Sequence, residues 1–187
     1  MNQFDGKQPL IHSTTILGVR YNRRAAMGGD GQVTFGDMAL KQKAVKVRKF
    51  ESEKGVILSG FAGAAADALT LFEKFEGKLD EFGGDLKRSV VELAKEWRTD
   101  KYLRHLDALL ALMDKHSSFI LSGDGNVIEP DGPIIAVGSG AGYAQAAAKA
   151  LMQTTKLGAK IVVEKSLKIA SEICIYTNDS ITVIETE

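Results

Sequence analysis

Apolar positions along the chain first follow a period of two. Residues 14–21, "TTILGVRY", alternate loosely, and after "YNRR" a short apolar stretch, "RAAMGGD", follows. This predicts a strand, a tight turn and a second strand, closed by the glycines at 28, 29 and 31. "VKVRKF" (45–50) and "GVILSGFAG" (55–63) predict a second hairpin around the polar turn "ESEK". The period then changes. Over 64–82, Leu69, Phe72, Phe75 and Leu79 recur at helical spacing. "FGGD" ends that helix and offers Asp85 as the N-cap of the next, whose stripe of Leu86, Val90, Leu93, Trp97, Leu103 and Leu106 predicts a helix to about residue 107.

Short strands are expected at "ALLALMD", "SFILSG" and "NVIEP", the last two joined by the turn signal "GDGN". "IIAVGSG" reads as a buried strand, followed by an Ala-rich helix over 142–154, another over 160–173 and a closing strand in "SITVIETE". Strands and helices come in groups rather than alternating, which predicts a layered α+β fold. Two packed sheets with a helix pair on each outer face would bury every apolar face. No linker or solenoid-length repeat interrupts 14–187, so one domain is expected, preceded by a leader, "MNQFDGKQPLIHS" (1–13).

Composition narrows the function classes. The chain of 187 residues carries 24 Lys plus Arg against 24 Asp plus Glu, a balance that argues against a nucleic-acid or anionic-membrane partner. The longest apolar run, Ala108 to Met113, is far short of a membrane span, and the leader lacks the apolar stretch of a secretory signal. One cysteine, Cys174, excludes an intrachain disulfide and a multi-cysteine zinc site. A cytoplasmic protein is expected.

Most familiar chemistry is missing. There is no G-x-x-x-x-G-K-[ST], hence no phosphate loop of that kind. His12, His105 and His116 lack any local signature of a Ser-His-Asp triad. "GSGAG" (138–142) places Tyr143 where a dinucleotide fingerprint needs its third glycine. "GGDGQ" lacks the alternating carboxylates of a calcium loop, and "KVRK" reads as one solvated face of a strand.

Thr14 remains. A mid-chain threonine hydroxyl is a poor nucleophile and needs a base beside it. Cleavage before Thr14 would create an α-amino group with an unperturbed pKa near 8, covalently delivered to the hydroxyl it must activate. A lysine ammonium nearby would lower the pKa of both groups, and a buried carboxylate would hold that lysine. Lys46 and Asp30, on neighbouring predicted strands, are available for these tasks.

"TTILGVRYN", "GGDGQVTFGD", "KVRKF", "GFAGAAADALTLFEKFE", "ELAKEWRTDKYLR", "GDGNVIEP", "AVGSGAGYAQAAAKAL" and "EICIYTN" occur in order across nearly all of 14–187. In this set the chain resembles the proteasome β-subunit family of N-terminal nucleophile hydrolases, in its bacterial two-component, ATP-dependent branch. The resemblance implies a four-layer αββα sandwich and a threonine endopeptidase. Residues 1–13 would be a propeptide and Thr14 the nucleophile, tuned by Lys46 with Asp30 as its acidic partner. Ser139 would support the hydrogen bonding of the amine, and the Gly60 N–H would receive the oxyanion.

The resemblance also implies a sodium ion held by the main-chain carbonyls of Ser171, Cys174 and Thr177; position 171 departs from the family, which usually has glycine there. It further implies a homo-oligomer of two stacked hexameric rings, an axial AAA+ ATPase hexamer and polypeptide substrates. Two other readings stay open: a non-catalytic ring subunit, and an N-terminal nucleophile amidase acting on a small molecule.

Overall fold

The computed structural model describes residues 14–35, 38–63, 65–101, 103, 106 and 108–186. The expected propeptide, with His12, and also His105 lie outside the described residues. The chain folds as β1 (Thr15–Tyr21), β2 (Arg24–Gly29), β3 (Val33–Phe35), β4 (Met38–Lys41), β5 (Val47–Ser52), β6 (Gly55–Gly63), α1 (Ala65–Glu81) and α2 (Leu86–Thr99). It continues with β7 (Ala108–Met113), β8 (Ser118–Ser122), β9 (Val127–Ile128), β10 (Ile134–Gly138), α3 (Ala141–Thr154), α4 (Ala159–Ile173) and β11 (Thr182–Glu185).

Two antiparallel sheets carry the architecture. One has the order β10-β1-β2-β11, the other β5-β6-β7-β8-β9. The β1–β2 turn holds Asn22 and Arg23 at positive φ (52° and 60°), the twist that a tight two-residue hairpin needs. Three apolar clusters define four layers. Ile16, Met27 and Ile135 of the first sheet meet Val47, Leu58, Ala111 and Met113 of the second. Leu17, Val19 and Ala26 face α3 and α4 through Ala144, Ala148, Val163 and Leu167. On the opposite outer face, Phe61, Leu110, Leu112 and Phe119 lie under α1 and α2 through Phe72, Phe75, Val90 and Trp97. β1 is therefore covered on both faces, which is why its hydrophobic alternation is loose: Ile16 meets the second sheet, while Leu17 and Val19 meet the helices. The αββα sandwich expected from the element order is the observed fold.

Asp85 caps α2 as expected, its carboxylate accepting the N–H of Arg88 at 3.0 Å. The helix ends at Thr99, however, and not near 107. Asp100 stops it in extended conformation and accepts the Leu103 N–H at 3.0 Å, which carries Leu103 back into the helix-side core. The apolar spacing thus continues past the helix that began it. Leu69 likewise belongs to the α1 stripe in sequence, yet it is 62 % exposed, and Ala68 and Leu71 supply the buried face with Phe72 and Phe75. The β3–β4 hairpin was not expected: β4 is exposed along its whole length and so carries no alternation. β5 starts at Val47, leaving Val45 exposed.

Phe75 is fully buried and meets Phe50 edge-on at 5.2 Å between ring centres. Phe75→Ala is expected to lower the unfolding free energy by about 3–5 kcal/mol through lost burial and the cavity it leaves. Chemical denaturation at fixed protein concentration measures this, and a loss under about 1 kcal/mol would contradict the packing described.

Candidate active site

Thr14 stands immediately before β1, the strand flanked by β10 and β2, so its place is set by two ladders at once. It is buried, and its carbonyl accepts the Ser139 N–H at 2.8 Å. Pairing of Thr15 with Gly138 brings the end of β10 against it. Gly138 has φ +99°, and a Cβ there would lie 2.1 Å from the Thr14 carbonyl oxygen. Only glycine allows this approach.

Asp30 follows β2 and is fully buried. Its Oδ1 accepts the Thr15 N–H at 2.7 Å and the Lys46 ammonium at 3.0 Å. Its Oδ2 accepts the N–H groups of Gln32 at 2.9 Å and Asn178 at 3.4 Å. The Asp30 N–H in turn donates to the Thr15 carbonyl at 3.2 Å. Carboxylate and ammonium are both removed from water, with 0 % and 2 % side-chain exposure. Burial pushes the proton affinity of Lys46 below the ordinary lysine value, and the Asp30 charge and hydrogen bond oppose that shift. Lys46 sits just ahead of β5, anchored by its own carbonyl, which accepts the Phe61 N–H at 3.2 Å.

Thr14 and Lys46 open onto a cleft of about 200 Å³ whose walls include Phe61, Gly63, Leu69 and Phe72. The Phe61 and Phe72 rings meet edge-on at 5.7 Å. The cleft therefore joins Thr14 and Lys46 to an apolar chamber large enough for a side chain. It explains the exposure of Leu69, which borders this opening.

The structure brings Thr14, Asp30 and Lys46 together, but it treats the other expected residues differently. Ser139 adjoins Thr14 through its backbone N–H, while the residue itself is exposed. Gly60 lies in the middle of β6, paired with both Val47 and Ala111 and facing Ile16 and Met27 between the sheets. N–H groups alternate in direction along a strand. Because the Phe61 N–H is directed to Lys46, that of Gly60 points to β7. The same alternation turns the Gly63 N–H toward the β5 side, beyond Val47, the first β5 residue of the ladder, and Gly63 lines the cleft. "SGFAG" offers two glycines at this strand end, and only strand register separates them.

Ser171 lies in the last turn of α4, Cys174 caps that helix, and the Thr177 N–H donates to the Cys174 carbonyl at 3.1 Å. The Ser171 and Cys174 carbonyls fit a hard monovalent cation in kind, because oxygens at a helix end carry negative partial charge; that of Thr177 belongs to the turn beyond the helix. Among the described residues, no group of three or more His, Cys, Asp or Glu side chains could hold a metal ion. His116 is exposed in a turn organised by the Asp114 carboxylate, which accepts its N–H at 2.6 Å. Among the same residues, no helix is long and apolar enough to cross a membrane.

Residues 11–185 match the family model described as proteasome subunit. The fold is similar to the crystal structure of eukaryotic HslV from Trypanosoma brucei, with a TM-score of 0.84 and 40% identity over 91% of this chain and 98% of that one. It is also similar to Thiobacillus denitrificans BPH, alone and in complex with epoxomicin, with a TM-score of 0.71 and 20% identity over 92% of this chain and 97% or 98% of those chains; at that identity only the fold is shared. The chain belongs to the proteasome subunit family and is a protease subunit of the HslV type.

Proposed function

We propose that this chain is the threonine endopeptidase subunit of a cytoplasmic two-component protease, cutting unfolded polypeptides inside a chamber of two stacked hexameric rings. The observation that carries this reading is the buried Asp30–Lys46 pair beside Thr14, with Asp30 also holding the N–H of the next residue. Removal of residues 1–13 frees the Thr14 α-amino group. That amine takes the proton from Oγ1 as Oγ1 attacks the scissile carbonyl carbon. The tetrahedral oxyanion forms where an N–H can meet it, and the Gly63 N–H suits this task better than that of Gly60. Collapse returns the proton to the departing amine and leaves an ester on Thr14, which water hydrolyses with the same amine as base.

Lys46 keeps the Thr14 amine unprotonated near neutral pH by charge repulsion, and Asp30 holds Lys46 in place. The Ser139 turn orients the nucleophile. The Phe61–Phe72 chamber receives a substrate side chain. Carbonyls of Ser171, Cys174 and Thr177 would hold a sodium ion, which when bound would neutralise the negative end of α4 and order the turn after it. Unfolding and threading of substrate fall to an HslU-type AAA+ ATPase hexamer, since this chain has no phosphate loop.

Thr14→Ala is expected to assemble normally and to lose at least about 10³-fold in kcat/KM on an unfolded polypeptide supplied with the ATPase and ATP. Near-normal cleavage by that variant would overturn the assignment. Faster turnover of a small amide than of polypeptide, unaffected by the ATPase, would favour the amidase reading instead. Lys46→Met removes a positive charge from the amine's surroundings, so the amine binds its proton more tightly. The acid limb of the kcat/KM profile is expected to move to higher pH, and an unshifted limb would remove Lys46 from its role.

A further inference from the structure

We infer that Thr15, the residue after the nucleophile, is a positioning residue whose buried hydroxyl sets the Ser139 turn against Thr14. The inference rests on the reading of Thr14 as nucleophile. Ile16 faces the inter-sheet core and Leu17 faces the α3–α4 layer, so alternation puts the Thr15 side chain on the α3–α4 side. An apolar β-branched residue would satisfy that packing. A hydroxyl stands there instead, fully buried and fully engaged.

Thr15 Oγ1 lies 2.6 Å from Thr177 Oγ1, itself buried, and accepts the Gly140 N–H at 3.0 Å. A Cβ at Gly140 would come within 2.2 Å of Thr15 Oγ1 and 2.7 Å of Thr177 Oγ1. The hydroxyl pair thus fills the space that any side chain at position 140 would need. Gly140 is also the N-cap of α3, without a side-chain cap of its own, and its carbonyl accepts the Ala144 N–H at 3.1 Å. The Ser139 N–H to the Thr14 carbonyl and the Gly140 N–H to Thr15 Oγ1 are therefore consecutive ties between the start of β1 and the turn before α3. Through Thr177 the same hydroxyl reaches the turn after α4. One oxygen holds three segments that meet at the nucleophile.

Thr15→Val keeps the shape, removes only the oxygen, and leaves the Gly140 N–H and the Thr177 hydroxyl without it. In full-length protein, matured and assembled, kcat on an unfolded polypeptide is expected to fall about 10- to 100-fold, the scale of a small misplacement of reacting groups. KM should stay within about twofold, and Thr15→Ser should restore most of kcat. Thr177→Val should fall similarly, and the double variant should be little worse than the weaker single one, because both act through one contact. Wild-type kcat in assembled Thr15→Val, or a loss that Thr15→Ser does not repair, would overturn the inference. Should Thr15→Val not assemble, wild-type kcat in assembled Thr177→Val would overturn it equally. An inactive wild type would instead bring down the reading of Thr14, and this inference with it.

Discussion

A single buried carboxylate organises the site. Asp30 has no access to water, so its charge must be balanced by donors alone. It draws four of them from four places: the start of β1 through Thr15, the residue ahead of β5 through Lys46, its own turn through Gln32, and the segment after α4 through Asn178. Leaving such a buried charge without its partner costs about 3–5 kcal/mol, so each donor segment is drawn to a fixed place around Asp30. Thr14 inherits that order. Thr14 is positioned because the residue beside it is bonded to Asp30 at N–H and carbonyl alike.

The sandwich makes this possible. The starts of β1 and β5 belong to different sheets, and they meet only because the two sheets pack face to face through Ile16, Met27, Val47 and Leu58. Within the first sheet Gly138 admits the Thr14 carbonyl, and on the α3–α4 side the Thr15–Thr177 hydroxyls occupy the space beside Gly140, the N-cap of α3. The helix layer over the second sheet contributes Phe72 and Leu69 to the cleft. Each of the four layers therefore supplies something to the surroundings of Thr14. Burial lowers the proton affinity of Lys46 below the ordinary lysine value, and the Asp30 carboxylate beside it opposes that shift.

Much of this was legible in residue order because the physics that builds it is local. The switch from period two to helical spacing, the Asp85 cap and the GDGN turn are short-range signals, and they delimit the layers. Thr14, Lys46 and Asp30 could be grouped in advance because the proposed chemistry of a terminal threonine calls for a cation and a carboxylate beside it, and the structure brings the three together. What escaped is non-local. The end of α2 depends on Asp100 turning the chain so that Leu103 returns to the core, and apolar spacing is blind to that turn. β4 has no buried face and leaves no alternation to read. The choice between Gly60 and Gly63 depends on which neighbour strand each N–H faces, and that is a property of register between β5, β6 and β7. The role of Thr15 depends on a contact across 162 positions of sequence.

The central claim is chemical: Thr14 works as a chain terminus, with its own amine as the base. Intact-mass measurement of the purified, assembled protein tests it most directly. The account predicts loss of residues 1–13 and a mature chain beginning at Thr14. A fully assembled protein that still carries the leader on every subunit would contradict it and would leave a ring subunit that keeps the fold but does not cut.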